Sequence, residues 1–88
     1  MPNFMGKLLL GRYVMRLKDV AKRRGDQNGV GFLTPEGEAE ARAIGQQIFD
    51  LGGHESMVYV CERIRDELGA VPYRELEVAW NGIGRWRK

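Results

Sequence analysis

The stretch TPEGEAEARAIGQQIFDL, residues 34–51, decides the fold. Thr34 carries the side-chain oxygen that accepts from the open amides of a helix start. Pro35 suits the first helical position, where no N–H is needed, and Glu36 and Glu38 face the positive end of the helix dipole. Gly37, Ala41, Ile44, Ile48 and Leu51 then recur at helical spacing. Gly37, Ala41 and Gly45 are small, so another backbone fits closely along this side. Gly52 and Gly53 end the helix.

Toward the N-terminus, residues 6–24 read as a second amphipathic helix. Leu9, Leu10, Tyr13, Val14, Leu17, Val20 and Ala21 share one arc at 100° per residue. Lys7, Arg12, Arg16, Lys18, Asp19, Lys22 and Arg23 share the other, and Leu8 and Met15 fall inside this basic arc, where they are expected to be exposed. Gly25 is the expected stop. Residues 25–33 hold three glycines and an Asn-Gly pair and read as a loop.

Toward the C-terminus, a helix from about His54 to Leu68 has a seam of Met57, Cys61, Ile64 and Leu68, widened by Val58 and Val60, with Gly69 closing it. Tyr73, Leu76, Trp80 and Ile83 fit a fourth, shorter helix from near Pro72, although Leu76, Val78 and Trp80 also alternate as a strand would. The expected fold is all-α, a compact bundle of three or four helices forming one small domain over residues 1–88. The predicted core is Leu10, Tyr13, Val14, Leu17, Ala41, Ile44, Ile48, Leu51, Cys61, Ile64, Leu68, Leu76 and Trp80.

Composition narrows the function. A chain of 88 residues has a small core, and burial against a partner subunit would add to it. A single cysteine rules out a disulfide framework and fits a reducing compartment. No secretory leader or spanning apolar run is visible, so the expected location is cytoplasmic. The charges are segregated. Residues 1–24 hold seven Lys and Arg against one acid, residues 25–82 hold four against eleven, and the tail adds Arg85, Arg87 and Lys88.

No catalytic constellation stands out, and the expectation is a non-enzyme with no cofactor and no metal. His54 is the single histidine and reads as solvent-facing or capping. Cys61 sits in an apolar seam and reads as a small buried hydrophobe. Gly25 to Gly31 follow Gly-x-x-x-Gly-x-Gly without the Gly-Lys-Ser/Thr of a phosphate loop. An enzyme reading would return if a concave pocket placed His54 beside several carboxylates. The stretch from Leu33 to Ile48, with its L-T-x-x-G-x-x-x-A pattern, resembles the helix after the catalytic loop of histidine phosphatases. It equally resembles the wing and following helix of winged-helix repressors. In the first comparison Arg23 or Arg24 stands where the phosphorylated histidine belongs, and in the second one helix, not a helix-turn-helix, comes before. Neither family is adopted, for Leu-Thr-Pro-Glu-Gly is simply a good way to begin a helix.

Candidate binding residues are therefore the basic face, Arg12, Arg16, Lys18, Lys22 and Arg23, together with Trp86 beside the C-terminal turn. Trp80 reads as a packing anchor, and Trp86 suits either the core or a docking surface. The expected function is a helical module for self-association or for binding another protein. The alternative is a nucleic-acid-binding accessory protein using the basic face, and packing of Arg12 and Arg16 against acidic residues of the body would count against it.

Overall fold

The computed structural model describes residues 4–23, 31–32 and 34–86. Three helices account for most of them: α1 (Phe4–Arg23), α2 (Pro35–Leu68) and α3 (Ala70–Ala79), with no strand among the described residues. The stop at Gly25 and most of the loop over 25–33 lie outside those residues.

The start of α2 follows its local chemistry. Thr34 is extended (φ −71°, ψ 150°), its hydroxyl accepts from the Gly37 amide at 3.1 Å, and Pro35 opens the helix. The two helices expected over 34–51 and 54–68 are present and follow one another through a kink at Gly53, where φ 74° and ψ −164° are not helical. Positive φ costs an L-residue roughly 1–2 kcal/mol, and glycine avoids it. Helix α2 thus has two arms, 35–52 and 54–68. Gly69 (φ 99°) ends the second arm, its amide bonded to the Arg65 carbonyl. Residues 70–79 are helix and not strand; Pro72 lies in the first turn, where amides need no helical partner.

The arms pack on different partners. Helix α1 runs antiparallel to the first arm: Arg16 meets Gln47 at 3.0 Å, and Arg23 meets Glu40 at 3.3 Å. Helix α3 folds back along the second arm, with the Arg65 guanidinium 5.4 Å from the centre of the Tyr73 ring. Between these layers lie Leu10, Val14, Leu17, Val20, Ala41, Ile44, Ile48, Met57, Val60, Cys61, Ile64, Leu76 and Trp80, all buried.

Trp80 locks the bend. Its indole is fully buried against the small-residue notch of the first arm, and Nε1 donates to the Ala41 carbonyl at 2.8 Å. The small stripe therefore receives an aromatic ring and not the backbone expected there. From the first arm, Arg42 donates to the carbonyls of Ala79 (2.9 Å) and Asn81 (2.7 Å), which lie open at the end of α3.

Five residues depart from expectation, and Trp86, left open between core and surface, is settled as core. Leu51 is exposed rather than core, next to the bend and one turn past Ile48. Leu9, placed on the buried arc, is also exposed, and Tyr13 and Leu68 are half-buried at the edge of the core. Phe32, placed in the loop, is buried: Gly31 N–H donates to the Ala21 carbonyl (3.1 Å) and Phe32 N–H to the Glu75 carboxylate (2.8 Å). Trp86 belongs to the core, where it meets Trp80 edge-on at 5.2 Å.

Candidate functional site

Of the sequence-predicted basic residues, Arg12, Arg16, Lys22 and Arg23 are exposed and Lys18 is half-buried, and three of the five are bonded within the chain. Lys18 bridges α1 to the second arm of α2 through Glu67 at 2.6 Å. Arg23 pairs with Asp19 on its own helix (2.7 Å) and with Glu40 on the first arm (3.3 Å). Arg16 donates to Gln47 and sits 5.4 Å from the Tyr13 ring centre. Arg12 and Lys22 stand exposed, with no ion pair among the described residues. Each surface pair contributes about 0–1 kcal/mol, so these contacts orient α1 more than they stabilise it. At Glu67, hydrogen bonds from Lys18 and Arg63 hold the carboxyl below its usual range.

The α1–first-arm seam is a shallow groove of about 330 Å³. Val20 and Ile44 form its floor, Met15 stands at its rim, and Arg16, Arg23 and Glu40 supply charge along it. Antiparallel register carries the seam onward. Gln47 and Glu40 touch α1, and Leu51 continues their stripe one turn toward the bend, level with Arg12. Met15 of this groove is 70% exposed, and Leu8 on α1 and Leu51 on α2, which register places along the same edge, are 56% and 52% exposed. Exposure of Leu8 and Met15 follows the helical wheel; Leu51 joins them through register alone.

Trp86 leads to a second feature. The C-terminal turn reverses the chain through Gly82 (φ 94°) and Gly84 (φ 56°), and Trp86 Nε1 donates to the Glu77 carbonyl at 3.2 Å. This closes one end of a cavity of about 400 Å³ between the second arm and α3. His54, Val58, Cys61 and Glu62 contribute from the second arm, one helical turn after another. Tyr73 and Glu77 contribute from α3, with Arg85 and Trp86 from the turn. His54 is half-buried against the Trp86 ring (5.5 Å between centroids), not free in solvent or capping as expected. Its Nδ1 is buried with no hydrogen-bond partner among the described residues.

The cavity does place His54 near two carboxylates, the condition for reconsidering an enzyme. Burial, then Glu77 and Glu62, push the Cys61 thiol up to about 12, so it is protonated and unreactive at neutral pH. Among the described residues no group of three His, Cys, Asp or Glu is placed to hold a metal ion. No described helix is long and apolar enough to cross a membrane. No family model, curated protein or solved structure matches the chain.

Proposed function

We propose that this protein is a non-enzymatic helical module that associates with a second copy of itself through the α1–α2 edge. The observation that carries the reading is the open apolar edge of Leu8, Met15 and Leu51, beside charges already paired within the chain. An isolated exposed leucine needs no explanation, but three large apolar side chains along one seam favour removal from water. Burial contributes about 25 cal/mol per Å². The edge also suits a two-fold arrangement. Arg12 is exposed on its α1 side, and Asp50 and Glu55 are exposed near Leu51 on its α2 side. A two-fold axis through the edge sets α1 of each copy against α2 of the other, bringing opposite charges together.

Lys18 and Arg23 are paired with carboxylates within the chain, which favours this reading. Arg12 carries no ion pair among the described residues and Arg16 donates to the neutral Gln47, so the basic face keeps the nucleic-acid reading as the alternative the experiment must separate. Sedimentation velocity across a range of about 1 to 200 μM tests it, a range chosen around micromolar affinity. The expected result is a concentration-dependent dimer that Met15→Glu and Leu51→Glu convert to monomer with unchanged helicity. A monomer throughout would overturn the proposal. If that monomer also bound duplex or single-stranded nucleic acid with steep salt dependence, the nucleic-acid reading would replace it.

A further inference from the structure

The cavity closed by Trp86 lies on the opposite arm of α2 from the proposed association edge, and its lining is independent of that reading. Its volume, about 400 Å³, falls at the small end of ligand sites, which run about 300–1,000 Å³. That size accepts a compact organic molecule rather than a nucleotide or a peptide segment. The walls are of two kinds. Val58, Cys61, Tyr73 and Trp86 provide apolar and aromatic surface. Glu62 and Glu77 provide carboxylates from facing helices, and the register that sets Arg65 over Tyr73 puts Glu77 level with Cys61 at the middle of the wall.

The electrostatics point the same way. Burial is the largest cause of the raised Cys61 thiol and Tyr73 phenol; Glu77 adds to both and Glu62 to the first, with Arg65 pulling the other way, so the two carboxylates are felt inside the cavity. Cations stand nearby as well: Arg85 belongs to the lining, and Arg65 covers the Tyr73 ring 5.4 Å from its centre. Arg85 and Glu62 are both exposed, where water screens them, while Glu77 is half-buried and so acts more strongly on the interior. The Arg65 contact is itself informative, since it shows an aromatic wall of this site engaging a cation.

We infer that this cavity binds a small organic cation, an ammonium carried on an apolar body, with the charge at Glu62 and Glu77 and the body between Val58 and Trp86. The imidazole of His54 lies tilted against Trp86 at the same end.

The test uses the full chain and phenethylamine, protonated at neutral pH, against 3-phenylpropionate as an anion of similar shape. Trp86 lines the site, so intrinsic tryptophan fluorescence reports occupancy, and calorimetry checks it. The amine is expected to saturate with a Kd of about 1 mM or tighter, in keeping with a fragment-sized ligand, and the anion to bind at least about tenfold more weakly. Glu62 is exposed, so Glu62→Gln preserves the fold and is expected to weaken the amine by about fivefold or more while leaving the anion unchanged or improved. Equal affinity for amine and anion, an unaffected Glu62→Gln variant, or no saturation by about 10 mM would each overturn the inference.

Discussion

Gly45 offers a direct contest between helix propensity and packing. In an open helix interior, glycine to alanine gains about 0.8–1.0 kcal/mol. At position 45 a Cβ would meet the Trp80 indole, with Cδ1 at 2.6 Å and Cε2 at 2.7 Å. Real Cβ atoms do not approach that closely, so the ring must move. Trp80 is fully buried, packed edge-on against Trp86, and bonded through Nε1 to the Ala41 carbonyl. Displacing a ring in a filled core costs about 1–3 kcal/mol. Stranding the buried indole N–H costs about another 1–3 kcal/mol. After the gain in propensity, Gly45→Ala should destabilise by about 3 kcal/mol. At a urea dependence of about 1.5 kcal/mol per molar, the unfolding midpoint drops by about 2 M. Gly11 in α1 is the control, because its Cβ would meet nothing within 4 Å. Gly11→Ala should stabilise by about 0.5–1 kcal/mol. Urea titrations followed by far-UV circular dichroism read both variants without relying on the perturbed tryptophan. A Gly45→Ala protein as stable as Gly11→Ala would refute the packing of Trp80 into the first arm.

Two further outcomes follow from ionisable groups. Glu67 is held below the usual carboxylate range by Lys18 and Arg63, so its folded carboxyl binds a proton less readily than the unfolded one. Its contribution is present above the unfolded pKa and lost as pH falls through the depressed folded value. Glu67→Gln should therefore flatten the acid limb of stability against pH, and a limb unchanged in slope would dismiss the bridge. Cys61 is buried, with its thiol at about 12. It should resist a disulfide-exchange reagent at pH 8 until urea unfolds the chain, with labelling tracking the unfolding curve; rapid labelling of the native protein would contradict its placement.

Much of the helical framework could be read from residues because its signals are local. The Thr34–Pro35 start needs only a hydroxyl and a missing amide. The buried stripe of Leu10, Val14 and Leu17 needs only periodicity. Gly52-Gly53 is legible as a break, but whether the chain resumes as a continuing helix or a separate one depends on a single residue's φ and ψ. Leu51 misled because its spacing matches Ile44 and Ile48, while burial depends on tertiary neighbours that spacing does not reveal. The candidate surfaces were harder to see. Lys18 finds Glu67 49 residues away. Arg23 finds Glu40 only through the antiparallel register of α1 and α2. The cavity arises from the pairing of the second arm with α3 and from a reversal that returns Trp86 to His54. None of these relations leaves a periodic trace, so the residues could be named while their company could not.

The bend at Gly53 has a mechanical consequence. Two rigid rods meeting at one flexible joint form a hinge, whose angle is cheap to change. Here α3 lies along one rod while Trp80, at its far end, is seated in the other. Arg42 ties that same corner from the opposite side through the Ala79 and Asn81 carbonyls. The three members form a triangle, and a triangle cannot change an angle without lengthening a side. The glycine that makes the bend possible is therefore not what makes it soft; the corner is braced, and opening it means extracting an indole from the core.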